Sequence, residues 1–273
     1  MLNHANDIKV LLLGNSHIEE GIDPNVMGSG VFNAAISGRK TQYDVEIAKK
    51  YVTQMSKLQC VVMPLDYASF YLGREEDNEL DHFKGQDVLT TTFRCMYYKY
   101  MGIRIDGFWY WSEILNSKLD YMTRFTQDAK ASRICDSLGY IKNLMADRTS
   151  DWEYKFLPKH VDTGEQIDQR LYDELWGYYT TLAEITQNKG VKFVLLGTPV
   201  YKTYREQLNN NVVKERNQFV EALQAKYKNV IFLDYLFDED YASEDFKDAS
   251  HMSEIGAPKF SKKLVQRISE EIK

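Results

Sequence analysis

Five short apolar runs alternate with amphipathic stretches along this chain, and that rhythm limits the fold more than any other feature. The runs are IKVLLLG (8–14), VFNAAISG (31–38), LQCVVMPLDY (58–67), VKFVLLGTP (191–199) and VIFLDY (230–235). Runs apolar at consecutive positions suit strands buried on both faces. Between them, DVEIAKKYVTQMSK (44–57) places Val45, Ala48, Tyr51, Val52 and Met55 on one face of a helix. Residues 165–188, 212–227 and 256–272 read as further helices, the last with Pro258 in its first turn, where a missing N–H costs little. The alternation predicts an α/β fold: a three-layer sandwich around a central, mostly parallel sheet.

The 273 residues suffice for one large α/β domain or two small ones. No repeat, low-complexity tract or clear linker divides them, so a single domain over 1–273 is expected. The segment at about 70–160 breaks the rhythm. It is aromatic-rich, as in YYKYMGIRIDGFWYW (97–111), and reads as a helical or irregular insertion. The chain holds 19 Tyr, 13 Phe and 4 Trp. Such rings suit carbohydrate stacking, and they equally suit a plain core.

Charge and cysteine content narrow the partners. The formal net charge is −6, and Lys and Arg are scattered among acids, so no basic stripe for nucleic acid exists. No apolar stretch approaches the ~18 residues of a membrane-spanning helix. The three cysteines, Cys60, Cys95 and Cys135, are odd in number and form no CxxC. Cys60 lies in an apolar run and reads as a small buried hydrophobe. The chain enters its first strand within about eight residues of Met1, and MLNHANDIKV is no signal peptide. That start fits a complete cytosolic protein, and equally an extracytoplasmic one whose leader or anchor lies outside these residues.

In open parallel sheets, ligands sit at the carboxyl ends of the strands. Four positions fall there: Ser16 after the first run, Gly38 closing the second, Asp66 ending the third and Thr198 ending the fourth. Ser16, in Gly14-Asn15-Ser16-His17, follows a buried strand in a tight turn that presents its hydroxyl at the sheet edge. If a helix starts there, its free N–H groups point to the same place and favour a developing oxyanion. Asn15 or Ser16 acting as a plain helix cap explains the tetrapeptide as well. Asp248-Ala249-Ser250-His251 follows the last strand. A serine hydroxyl needs a base, and histidine oriented by a carboxylate supplies one. Gly38 lets a backbone N–H approach a substrate closely, or is an ordinary turn glycine.

Together these pieces resemble the SGNH (GDSL-like) hydrolases. The resemblance implies Ser16, Asp248 and His251 as catalytic residues and the N–H groups of Ser16 and Gly38 as the oxyanion hole. It implies an SGNH/flavodoxin-like sandwich with no metal or cofactor. Asn15, His17, Asp66 and Tyr67 are possible site-lining residues; His17 fits contact with substrate or a structural bond in the turn. Two positions depart from the family pattern. The strand end Met63-Pro64-Leu65-Asp66-Tyr67 lacks the family's oxyanion asparagine, and Asn15 stands where Asp is usual. A carboxylate at Asp66 repels an oxyanion unless it points away or is protonated. The branch most resembled is that linked to polysaccharide and cell-envelope O-acylation. The implied substrate is an acylated carbohydrate or other small acyl ester. The missing asparagine equally suits a non-catalytic carbohydrate-binding or assembly protein on the same fold.

Other motifs are excluded. Gly28-Ser29-Gly30 precedes a strand instead of following one, so it is no dinucleotide fingerprint. Ser37-Gly38-Arg39-Lys40-Thr41 is not a phosphate-binding P-loop, because Arg39 separates the glycine from the lysine. No HExxH or zinc-spaced Cys/His cluster is present.

Overall fold

The computed structural model describes residues 2–39, 41–70, 136–158 and 169–272. Contacts divide the chain into two compact units. One joins Met1–Leu72 to Arg133–Lys273; the other is Gly73–Ser132. The second unit lies outside the described residues, as does most of the insertion expected at about 70–160.

The first unit is built on five parallel strands: β1 (Val10–Leu12), β2 (Val31–Asn33), β3 (Cys60–Pro64), β4 (Lys192–Gly197) and β5 (Val230–Asp234). Their spatial order is β2-β1-β3-β4-β5, with Leu11 opposite both Phe32 and Val61, and Val62 opposite Val194. All five apolar runs therefore form strands, each within its predicted span.

Side chains alternate across a strand, so each run feeds both faces. Val10, Leu12, Cys60, Val62, Val194 and Leu196 share a core cluster with Ile18, Phe260, Leu264 and Ile268. Its cover is α1 (Ser16–Glu19), α2 (Pro24–Met27) and the carboxyl-terminal helix Gly256–Glu271. On the other face, α3 (Thr41–Tyr51) packs beside α4 (Gln169–Lys189). Tyr179 of α4 lies 6.3 Å from the Phe193 ring and meets Phe219 edge-on at 5.6 Å. Two further helices complete the order: α5 (Lys202–Arg205) and α6 (Asn210–Lys226), which carries Phe219. The carboxyl-terminal helix is thus α7. Helices cover both faces, and the α/β sandwich is the observed architecture. Fully burying each of these aliphatic or aromatic side chains contributes about 1.5–3 kcal/mol. Among the described residues, no helix is long and apolar enough to cross a membrane.

Two boundaries differ from expectation. The second strand ends at Asn33, well before Gly38. The Asn33 amide donates to the carbonyls of Ile18 (2.9 Å) and Ile22 (3.2 Å), and its Oδ1 accepts from Ala35 N–H at 3.1 Å. Those side-chain bonds fix Asn33 at the end of the strand, and Ala34 N–H still donates to the Leu12 carbonyl at 2.8 Å. The helix expected over 44–57 starts at Thr41 and closes at Tyr51, followed by one tight 3₁₀ turn, Val52–Gln54.

Candidate active site

A sheet ordered 2-1-3-4-5 has its topological switch between β1 and β3, where adjacent connections leave in opposite directions and open a crevice. Both flanking strands deliver polar residues there: Asn15, Ser16 and His17 from β1, Asp66 from β3.

Gly14 sets the first turn. Its φ is +118°, a region that side chains disfavour, and a Cβ there would sit 2.3 Å from Pro64 Cδ. Its N–H donates to Asp44 Oδ1 at 3.0 Å, and its carbonyl accepts from Ile36 N–H at 3.0 Å. Asp44 is buried and paired with the Arg39 guanidinium. Burial pushes the Asp44 carboxyl up, and Arg39 and the Gly14 N–H only partly offset it. Directly after this turn, Asn15 caps α1, its Oδ1 accepting from His17 N–H at 3.1 Å. Asn15 thus acts as the helix cap, and the half-buried Ser16 follows it as the first helical residue. As the first helical residue, Ser16 keeps an N–H with no intrahelical partner.

Ser16 Oγ lies 2.9 Å from His251 Nε2. The other ring nitrogen, Nδ1, lies 2.9 Å and 3.1 Å from the two Asp248 oxygens and 3.0 Å from Ser250 Oγ. A carboxylate at Nδ1 favours the tautomer with the proton there, leaving Nε2 to accept from the serine. Burial raises the Asp248 carboxyl, but bonds to the His251 ring and to the Ser250 and His251 N–H groups outweigh it. The net shift is below the ordinary value, so Asp248 is ionised near neutral pH.

The loop carrying Asp248 and His251 is held from several sides. An isolated antiparallel bridge joins Phe246 to Met252, and Lys247 N–H donates to the His251 carbonyl at 2.8 Å. The buried Ala249 accepts from Tyr201 N–H at 2.9 Å and donates to the Lys155 carbonyl at 3.3 Å. The segment 143–156 straps across it: Glu254 N–H donates to the Asn143 carbonyl at 2.8 Å, and Arg148 bonds the Phe246 carbonyl while stacking on Trp152.

The remaining expected residues divide. Gly38 belongs to the turn Ile36–Arg39, closed by Arg39 N–H to the Ile36 carbonyl at 3.0 Å. Its φ of +72° at the third position is the type II requirement for glycine. The turn hangs on the site through Ile36 to Gly14 and through Ser37 N–H to Glu19 Oε2 at 2.7 Å. Gly38 thus lies in a turn after β2 and does not close that strand. Asp66 faces its own partners: Asn15 Nδ2 at 2.9 Å, His17 Nδ1 at 2.9 Å and, at the limit of bonding range, Thr198 Oγ1 at 3.5 Å. Burial raises the Asp66 carboxyl, and the neighbouring His17 with the Asn15 amide brings it net below the usual range. Tyr67 is buried, and its hydroxyl accepts from Asn209 N–H at 2.9 Å, tying the end of β3 to the start of α6.

Three residues were not foreseen. Ser250 sits inside the Asp-x-x-His motif, but only the folded loop turns its hydroxyl onto Nδ1. Asp44 is remote in sequence from Gly14, so spacing carried no signal. Phe156 meets the His251 ring edge-on, with centroids 5.4 Å apart. It is 66% exposed and, among described residues, the one non-glycine with positive φ (56°). A single aromatic in an aromatic-rich stretch gives no such warning.

Fold and site define a doubly wound parallel α/β protein with a Ser–His–Asp constellation at its switch point. Residues 162–268, less than half of the chain, match a family described as a protein of unknown function (DUF1574). No curated protein sequence matches the chain. Among solved structures, the chain is similar to a Bacteroides fragilis protein provisionally assigned as an acylhydrolase. That likeness has 12% identity and a TM-score of 0.46, covering 97% of this chain and 88% of the other. It is also similar to a GDSL-like lipase from Bacteroides thetaiotaomicron, at 12% identity and a TM-score of 0.43, covering 99% and 89%.

Proposed function

We propose that the chain is a serine-dependent O-acyl esterase or O-acyltransferase acting on a carbohydrate, with cell-envelope polysaccharide as the substrate class. One observation carries the reading: Ser16 Oγ at 2.9 Å from His251 Nε2, with Asp248 at 2.9 Å behind Nδ1. In this reading Ser16 attacks the acyl carbonyl as His251 takes its proton. Asp248 orients the ring and stabilises the imidazolium. The N–H groups of Ser16 and Gly38 face the oxyanion. His251 then protonates the departing sugar oxygen, leaving an acyl-serine. Water completes hydrolysis, or a second sugar hydroxyl completes transfer.

The carbohydrate assignment is supported by exposed rings beside the site. Phe156 touches His251 while mostly open, and Tyr154 is exposed in the same strap. Such faces suit stacking against sugar C–H surfaces. The test uses p-nitrophenyl acetate, a fluorophosphonate probe and an O-acetylated oligosaccharide. Turnover, labelling and acetate release are expected, all lost in Ser16→Ala. Oligosaccharide binding that survives Ser16→Ala, with no turnover or labelling in either form, replaces this reading with a non-catalytic glycan-binding role.

A further inference from the structure

Beside the Ser16–His251–Asp248 group stands a second histidine–carboxylate pair. The His17 ring lies 4.8 Å from the His251 ring, tilted by 52°. Its Nδ1 is buried 2.9 Å from Asp66 Oδ2, a close charge contact short of good hydrogen-bond alignment. Its side chain is 13% exposed, none of it at Nδ1. Among the described residues, Nε2 has no hydrogen-bond acceptor. The sequence thus places next to Ser16 a ring held at its Nδ1 edge by Asp66.

We propose that His17 is a further catalytic residue, its Nε2–H donating to the acyl oxygen as the tetrahedral intermediate forms. The inference rests on Ser16 being the nucleophile. It answers a gap at β3, where Met63–Tyr67 offers no amide to the oxyanion and Asp66 carries a charge of the wrong sign. By facing His17, Asp66 turns that charge to use: it holds a cationic donor at the mouth.

The surroundings of His17 favour its protonated form. Burial lowers the His17 pKa, but the Asp66 carboxylate outweighs it, with smaller help from Asp248 and Glu20. The net shift is upward. The titratable groups facing His17 are therefore Asp66 beyond β3, Asp248 and His251 in the loop before α7, and Glu20 at the end of α1. A protonated ring cannot serve as a second base, whereas as a donor it suits a developing oxyanion. In the step, the Ser16 Oγ–carbon bond forms, the carbonyl π pair moves onto oxygen, and the Ser16 proton passes to His251. On collapse the carbon–oxygen bond to the sugar breaks, and His251 returns the proton to that oxygen. His17 keeps its own proton throughout.

This arrangement requires His17 protonated, so kcat/KM should show an alkaline limb, falling as pH rises through the raised His17 pKa. The experiment measures p-nitrophenyl acetate hydrolysis against pH in the full chain. His17→Ala is expected to lower kcat/KM about 100-fold or more, the typical loss of one oxyanion donor. His17→Gln keeps a neutral donor, so it should retain more activity while losing the alkaline limb. Asp66→Asn should move that limb to lower pH. Circular dichroism checks the fold; if His17→Ala does not fold, the other two variants carry the test. An alkaline limb that persists in His17→Gln, or kcat/KM within threefold of wild type in folded His17→Ala, overturns the inference while leaving Ser16 as nucleophile. Hydrolysis that survives Ser16→Ala overturns both.

Discussion

Asp248 Oδ1 accepts from the Ser250 N–H at 3.0 Å and the His251 N–H at 2.9 Å, and also lies 2.9 Å from His251 Nδ1. The same oxygen therefore folds the loop and sets the ring. Asp248→Asn keeps an oxygen for the backbone but offers the ring a neutral amide, which can favour the wrong tautomer. If the proposed function holds, kcat for p-nitrophenyl acetate should fall by roughly 10³–10⁴-fold with little change in thermal stability, as for carboxylate loss in a serine triad. The Asp-x-x-His spacing makes this pairing legible in sequence, because one turn of chain brings the two side chains together. His17 was ambiguous for the opposite reason: its partner, Asp66, comes from another strand.

At the scale of elements, the crossing of β1 into α1 depends on Gly14. Both Gly14 backbone groups are engaged, its φ is positive, and Pro64 of β3 leaves no room for a Cβ. Gly14→Ala should destabilise the protein by roughly 2–5 kcal/mol, combining left-handed strain with overpacking. The midpoint of urea unfolding checks this, and an unchanged midpoint contradicts it. The strap 143–156 behaves differently. Its contacts to the 246–254 loop run through backbone carbonyls and isolated side chains, such as Asn143 with the Met252 carbonyl at 3.2 Å. Such bonds have no period, so nothing in the run of residues announced them. The Gly38 turn was legible as a turn but misplaced relative to β2, which ends at Asn33, five residues before it.

For the whole molecule, the site's charges link stability to pH. A histidine whose folded pKa is raised contributes stability that is complete below its unfolded value, 6.5 for the reference side chain, and is lost as pH rises through the folded value. The Tm difference between wild type and His17→Gln should therefore be largest below pH 6.5 and shrink at higher pH. Calorimetry across that range checks it; a difference that grows with pH contradicts it. The sequence by itself determined that the chain alternates buried strands with amphipathic helices, and hence that its polar turns gather along one edge of a parallel sheet. Apolar periodicity is local, and it survives in one dimension. What only the tertiary structure decided is which turns meet: Gly14 with Asp44, Asp66 with His17, Phe156 and Ser16 with His251. Those contacts join residues far apart in sequence, and strand order brings them together where no spacing rule reaches. Ser16 and His251, 235 residues apart, share a hydrogen bond because β1 lies inside the sheet and the final loop folds back over its carboxyl end.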